Sequence, residues 1–491
     1  MCSLFSEFPS VSSEEWRNKI SQELKERDFS EIISQVDDDI TVEPFYQKTS
    51  DNFSPFCRSK ESMYRSSSWI PFIPVNNNTS ITSLLDYGQK NIELIFDDYC
   101  GNNGIVIEKD LDFLLQKINL NEANVYFAGN LHAISVLELI KIYKEKYDLN
   151  ICGSIDNDPI VQLLSRSELC EKEDFLRCKN VVENTLDMPN FLGITIQGQS
   201  FQEMGCSYVD ELAFSFATAI EYCDQLSNLG LSHEQIISNM QFRFNVSGNY
   251  FVEIAKLRAA KLLWANIASQ FDLPKSFPVR IHATTSMWNK SLEDRHTNII
   301  RTTIEAMAAV VSGCSALTVY PYDYPDASNM AVRVAKNIHH ILKEEAFFDE
   351  CLNATSGSYY IEYLTNELAT RAWSAIQKIE KEGGFCEALR RNYIQERIAA
   401  QRKKKQQDIL LKKMIFVGVN KYRKDSAAIK KKVVEDTHIE KTIGDLTSAK
   451  EVKKSLTTHD YNSVAKSLCF TRSKCAVKVE KISVTMLSEM D

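Results

Sequence analysis

The sequence predicts an α/β protein folded as a (β/α)8 TIM barrel, with an extended N-terminal arm before the barrel and a charged helical extension after it. Three observations point there. Short β-branched and aromatic runs alternate with longer helical patterns, Gly, Asn or Asp bounds each run, and eight such units occupy roughly 270 residues, the usual size of such a barrel. Periodicity does not separate a closed parallel barrel from an open doubly wound sheet, so the open sheet is the alternative.

The candidate strands, in order, are Ile92–Phe96, Asn124–Ala128, Asn150–Ser154, Leu192–Gln197, Phe242–Val246, Val279–Ala283, Ala316–Tyr320 and a less clear stretch near Cys351–Thr355. Between them, the helical pattern Asn249–Ser269 places Phe251, Ile254, Ala255, Ala259, Leu262 and Ala265 on one stripe and Leu257 and Trp264 on another side. A helix apolar on two faces is buried on two faces. Arg258 falls within the first stripe and calls for a carboxylate or an anionic ligand, because an unpaired buried charge is too costly; a structural ion pair is the better reading.

Residues 1–60 form the arm, with Trp16, Ile20 and Leu24 at helical spacing and then an extended Thr41–Tyr46; it has too little apolar surface to fold alone. Residues 61–385 form the barrel. After Gly383-Gly384, residues 386–491 form a charged helical extension, in which Arg402-Lys403-Lys404-Lys405 reads as a solvated helix face rather than an RNA or lipid site. Beyond Asn420 the chain is polar and Lys-rich apart from Val464–Phe470 and Ala476–Met486, too little for a third domain.

Composition limits the function. With 491 residues, 44% hydrophobic and 25% charged, the chain is an ordinary globular protein, and its 66 acidic against 57 basic side chains argue against a nucleic-acid binder that relies on bulk positive charge. The 13 cysteines show no C-x-x-C spacing, and Glu7, Glu14 and Glu15 precede the first Arg, so reduced thiols in a cytoplasm are expected and no signal or transit peptide. The longest uncharged stretches, such as Met307–Tyr322, are too short for a membrane span.

Barrels place active sites at the C-terminal ends of their strands, which here are Gln197–Glu203, Asn245–Asn249, His282–Ser286 and Thr318–Asp323. Glu203 and His282 qualify as acid/base groups by type and Asp323 by position, whereas Ser200, Thr284 and Thr318 offer only hydroxyls. His339-His340 diverge by about 100° on a helix and form no metal pair. Asp436-Thr437-His438 begins like a D-x-H-x-x-G motif but has Lys441 where the Gly belongs, and no phosphate-cradling Gly-rich loop is present.

Several strings in fixed order, Gln202-Glu203, Glu211-Leu212-Ala213, Asn245–Ala265, Arg301–Ala309, Ala331–Asn337, Gly357–Glu362 and Gly418–Tyr422, resemble the substrate-binding barrel of the methylmalonyl-CoA mutase family, as does the opening Phe5–Trp16. The family has catalytic chains and, in heterodimeric members, a similar non-catalytic small chain. In catalytic chains an S-G-Y-H-M-Q-E-x-G string brings a His over the substrate carbonyl; here Ser200 stands at that position. The Q-T-S-G-W string reads Thr284-Thr285-Ser286-Met287-Trp288, and the S-L-H-T-N string reads Ala316-Leu317-Thr318-Val319-Tyr320. No R-P-W-T-I-R-Q-Y-x-G segment follows Lys60.

The resemblance therefore implies a small, structural subunit with Ser200, Thr284 and Thr318 as degenerate catalytic positions and no cofactor or metal of its own. Its partner would be a mutase large (alpha) subunit, in a heterodimer in which the large chain binds adenosylcobalamin and isomerises succinyl-CoA and methylmalonyl-CoA. The arm, its aromatics Phe5, Phe8 and Trp16 and the two-faced helix near Trp264 are expected at that interface. The family's C-terminal flavodoxin-like cobalamin domain is expected to be absent. The alternative is an independent barrel enzyme acting on a CoA ester or similar anion through Glu203, His282 or Arg258.

Overall fold

In a computed structural model, residues 11–25, 27–37, 40–46, 69–75, 90–96, 115, 117–129, 133–165, 171–274, 277–292 and 294–423 are described. Two short antiparallel strands, β1 (Ser34–Asp37) and β2 (Ile40–Val42), belong to the arm. The main sheet is parallel: β3 (Ile70–Val75), β4 (Ile92–Ile95), β5 (Asn124–Ala128), β6 (Cys152–Ile155), β7 (Phe191–Leu192), β8 (Ile194–Ile196), β9 (Met240–Val246), β10 (Ile281–Thr285) and β11 (Ala316–Thr318). Its order, β7-β6-β5-β4-β3-β11-β10-β9-β8, begins and ends on one stave, because β7 pairs with β6 and β8 with β9 on either side of Gly193. The nine segments are eight staves closing a (β/α)8 barrel, and the open sheet is excluded.

One expected strand is not a strand. Cys351–Thr355 lies in a run of turns, and the eighth stave is Ile70–Val75, whose two prolines argue against a strand interior. The register removes the objection. Ile70 donates its N–H to Ser315 and Phe72 accepts from Val319, so alternation turns Pro71 towards β4, whose ladder starts only at Ile73, and Pro74 towards β11, whose ladder ends at Phe72. Neither ladder loses a hydrogen bond to a proline.

The sheet separates two interiors. Outside the staves, one large apolar core packs strands against helices; inside, Phe72, Ile95, Tyr126, Ala128, Met287, Ala316, Tyr320 and Tyr324 form a separate cluster. The helix Tyr250–Gln270 is buried nearly throughout, with Trp264 against Phe216 and Phe242. Its outer side is covered by the helix Tyr359–Lys381 of the same chain, which corrects the expectation that this side faces a partner. Burial forces each of its charges to find a partner: Arg258 pairs with Glu362 at 2.6 Å, Lys256 lies between Glu211 and Glu253, and Lys261 Nζ donates to Ser312 and Gly313 carbonyls at 2.8 Å.

The described strands of the arm pack on the barrel of the same chain. Ile40 and Val42 are buried, Tyr46 stacks near Tyr360 and Tyr363, and Asp37 accepts from Val209 N. The helix Ser13–Leu24 buries no residue and meets the arm through Trp16 on Phe29 and Phe45. Phe5 and Phe8 lie outside the described residues.

The helix Tyr393–Leu410 corrects the reading of its basic run. Lys403 is exposed, but Arg402 Nε donates to Met204 O at 2.8 Å, Lys405 Nζ donates to Cys206 O, and Arg397 pairs with Asp210 at 2.6 Å. These cations meet the Met204 carbonyl that caps the helix Gly198–Glu203, the Cys206 carbonyl in the turn after it, and a carboxylate in the first turn of Tyr208–Asn228. Partial negative charge at the end of the first helix favours Arg402, which meets its capping carbonyl. Asp436–His438, Val464–Phe470, Ala476–Met486 and the expected absence of a cobalamin domain lie outside the described residues.

Inside the barrel Arg243 and Glu93 are paired at 2.5 Å with essentially no exposure. Glu93→Ala is expected to cost about 3–5 kcal/mol of unfolding free energy, because it strands a buried guanidinium, whereas the double replacement Glu93→Leu/Arg243→Met, which removes both charges and keeps apolar volume, is expected to cost far less. Urea unfolding of the wild-type chain and the two variants checks this; equal losses in the single and double replacements would reject it.

Candidate functional site

The alternation of each stave decides which side chains enter the lumen. On β9, Phe242 and Phe244 face the helices, so Arg243 and Asn245 face the axis; on β4, β5, β10 and β11 the same rule turns in Glu93, Tyr126, His282, Thr284 and Thr318. These groups form one connected network at the barrel's mid-height. Arg243 Nη2 donates to Glu93 Oε1 and lies 3.2 Å from Tyr320 Oη, and its guanidinium stands 4.6 Å over the Tyr126 ring. Thr318 Oγ1 donates to Glu93 Oε2 at 2.7 Å.

That hydrogen bond fixes the state of His282. The Thr318 hydroxyl has one proton and gives it to Glu93, so the 2.8 Å contact between Thr318 Oγ1 and His282 Nε2 is donated by the imidazole. The ring stacks on Phe72 with centroids 5.1 Å apart and meets the edge of Tyr126 at 4.8 Å. Burial first, and the Arg243 charge second, hold its pKa well below the ordinary histidine value. His282 is a neutral lumen residue three positions inside the end of β10, below the rim where an acid/base group was expected.

A second layer lies nearer the rim. Asp156 accepts from Tyr126 Oη, Gln197 Nε2 and Gly129 N, and Asp158 accepts from Gln197 N, Tyr222 Oη and Val161 N. Above them Gln199 Nε2 donates to Gln197 Oε1 at 3.0 Å, and Thr284 Oγ1 lies 2.5 Å from Asn245 Oδ1 and 3.3 Å from Gln199 Oε1. Asn245 Nδ2 donates to Glu203 Oε1 at 3.3 Å. Burial raises the Glu203 carboxyl, while this hydrogen bond and the Arg243 charge pull it back. Gly198 allows the strand to turn sharply into the rim helix, since a Cβ there would lie 2.6 Å from Ser215 Oγ and 2.8 Å from the Phe244 ring.

The expected site residues are therefore distributed over three places. Ser200, Thr284 and Glu203 are at or near the rim, His282 and Thr318 are in the lumen, and Arg258 is in the outer helix layer with Glu362, Asn353 and Thr355. Asp323 leaves the rim: its Oδ2 accepts from Ser328 N at the start of the next helix. Glu93, Tyr126, Asp156 and Arg243 were missed. The signal was available in part, since I-E-L-I and F-R-F-N-V each place a charge on the alternate side of an otherwise apolar strand.

With this geometry established, comparison with known proteins decides the family. A family model described as methylmalonyl-CoA mutase matches residues 35–486. The chain belongs to the methylmalonyl-CoA mutase family. It is 32% identical over 443 residues to the "Methylmalonyl-CoA mutase small subunit" of Porphyromonas gingivalis, covering 85% of this chain and 71% of that one. It is 33% identical over 344 residues to the "Probable methylmalonyl-CoA mutase, mitochondrial" of Caenorhabditis elegans, covering 67% of this chain and 46% of that one. The "Methylmalonyl-CoA mutase large subunit" of Propionibacterium freudenreichii subsp. shermanii is 30% identical over 363 residues, covering 68% of this chain and 50% of that one. The chain thus spans about half the length of the latter two relatives.

The family is an isomerase family and is generally adenosylcobalamin-dependent. Two of the described histidines are buried away from solvent. The barrel's His282 and the neighbouring His339 are both buried, His282 on Thr318 and His339 Nδ1 accepting from Trp69 Nε1 at 3.1 Å, so neither reaches the rim. Among the described residues no group of three or more His, Cys, Asp or Glu side chains is placed to hold a metal ion, and no helix is long and apolar enough to cross a membrane.

Burial, the first cause in each case, pushes the carboxyls of both Asp156 and Asp158 up to about 6 from 3.8. A folded pKa above the unfolded one means that the folded protein binds more protons between the two values. Their stabilising contribution is complete below about pH 3.8 and is lost as pH rises through about 6. A shift of this size corresponds to about 3 kcal/mol per group at most. Carboxyl-carbon NMR titration is expected to show two midpoints near pH 6 that disappear singly in Asp156→Asn and Asp158→Asn; midpoints below about 5, nearer the ordinary carboxylate range, would reject the assignment.

Proposed function

We propose that this chain is the small, non-catalytic subunit of an adenosylcobalamin-dependent methylmalonyl-CoA mutase. In this reading its partner is the large subunit, which binds the cofactor and interconverts succinyl-CoA and methylmalonyl-CoA by a radical carbon-skeleton rearrangement, in a cytoplasmic heterodimer. The small chain's contribution is to stabilise the folded large chain through assembly, by mass action.

One observation carries the proposal: the hydroxyls and the imidazole at the barrel's axis are spent on neighbouring side chains, and Arg243 is tied to Glu93 through Nη2, with its Nε and Nη1 buried and without a hydrogen-bond partner among the described residues. Radical chemistry on a thioester calls for hydrogen-bond donors preorganised towards the substrate oxygen in a site that excludes water. Here Thr318 is committed to Glu93, Thr284 to Asn245, His282 to Thr318 and Arg243 to Glu93. Ser200, where catalytic chains of the family carry a histidine, has no charge to offer near neutral pH. The named small-subunit relative supports the same reading.

Co-expression with a mutase large chain, followed by size-exclusion chromatography with mass detection and an isomerase assay, tests this. The expected result is a 1:1 complex with cobalamin on the large chain only, whose activity changes less than about twofold on Glu203→Gln in this chain, a change that removes a charge without removing side-chain volume. A tenfold loss of kcat in Glu203→Gln with assembly intact, or CoA-ester binding by the isolated chain, would reject the structural role.

A further inference from the structure

Outer helices of a barrel normally turn a polar face to water. The helix Thr297–Val311 does not: its exposed positions Ile300 and Ile304 and its half-buried Met307 and Val311 leave an uncharged outward stripe, while its acid, Glu305, points inward to Lys290. The stripe extends on both sides. Arg301 Nη2 donates to Val417 O at 2.7 Å and brings in the turn 414–420, with Ile415 and Val417 exposed. On the other side the Arg295–Asp326 pair and the Asn298 bond to Tyr322 O hold the start of the helix Asn329–His340 alongside, with Met330 exposed. Ile300 and Met330 are each 62% exposed and Val417 48%, and large apolar side chains left exposed on elements held side by side in this way are of the kind that marks a protein interface.

The rim of the patch has a sign. Among the described residues of 290–311, 326–341 and 411–423, Arg333, Lys412, Lys421 and Arg423 are exposed, Lys413 is exposed with Asp408 4.0 Å away, and Arg295 and Asp326 offset one another. Asp294 is the one further exposed carboxylate among those described residues, and it accepts from Thr297. A cationic rim on a chain of net charge −9 matters for the choice of occupant. Two copies meeting through this face about a twofold axis would oppose cation to cation, which disfavours a homodimer here.

We infer that the face formed by Ile300, Ile304, Met330, Ile415 and Val417 is the seat of a different protein chain, one presenting an apolar centre ringed by acidic side chains. The inference rests on the proposed heterodimer for its partner, the large chain, and adds which surface that partner occupies. Charged rims steer encounter and apolar centres supply affinity, so the contact is expected to weaken with salt as well as on polar substitution at its centre.

The test uses the full chain and the large chain, with affinity measured by calorimetry at about 50 and about 300 mM NaCl, a range over which screening of exposed charges changes markedly. Ile300→Glu/Ile304→Glu is expected to weaken association at least tenfold, and Lys412→Glu/Lys413→Glu at least threefold at the lower salt, with circular dichroism and Tm of the isolated variants unchanged. Wild-type affinity in both variants would overturn this inference and leave the heterodimer standing. No binding by the wild-type chain would overturn the heterodimer and the inference together. A wild-type chain that dimerises by itself and becomes monomeric in Ile300→Glu/Ile304→Glu would overturn the acidic partner in favour of a second copy. A fall of several degrees in the Tm of the isolated Ile300→Glu/Ile304→Glu chain would show that the chain covers this face itself, and would also overturn it.

Discussion

The Glu93–Arg243 ion pair is the constraint around which the barrel is organised. A guanidinium and a carboxylate removed from water must satisfy each other, and most of the surrounding choices follow from that need, although Arg243 Nε and Nη1 have no hydrogen-bond partner among the described residues. Thr318 and Tyr320 are drawn to Glu93, the Tyr126 ring lies under the guanidinium, and His282 is held neutral beside the same charge. The two residues are 150 positions apart in the chain and on staves that are not neighbours, so the pair spans the lumen rather than running along its wall.

This arrangement differs from the usual barrel interior of layered branched aliphatics. A polar lumen must be specific: its donors need acceptors at the right height, and a shift of one residue in β4 or β9 would turn Glu93 or Arg243 into the helix layer. It also explains why the chemistry of the rim is subdued. Side chains that are already committed to each other cannot also be aimed at a substrate without first breaking those bonds, and Glu203, the rim group with a raised carboxyl, is held by Asn245.

Packing around the barrel assigns further roles to charge. The buried helix Tyr250–Gln270 carries Glu253, Lys256, Arg258 and Lys261 into the core, and each meets an opposite charge or a row of helix-end carbonyls. Likewise the basic run near Lys404 is divided, with Arg402 and Lys405 tying the helix Tyr393–Leu410 to the cap of the rim helix and the turn after it and Lys403 left in water. Apolar surface is meanwhile left outside on the helix Thr297–Val311. The chain thus inverts the ordinary distribution in two places, and each inversion has a definite partner requirement.

The sequence alone determined the alternation of strands and helices, seven of the eight staves within a few positions, and the family, because these depend on local pattern and on strings that occur in a fixed order along the chain. It also marked Arg258 as one half of an ion pair. Only the tertiary structure decided that Ile70–Val75 completes the barrel, since its prolines are tolerated by the staggered ends of two ladders that no local rule reveals. Only it placed His282 in the lumen and Thr318 on Glu93, and only it joined Arg243 to a carboxylate 150 residues away. Local patterns state which residues must be buried; which partner each buried group meets is set by the closure of the barrel, a long-range event to which every stave contributes.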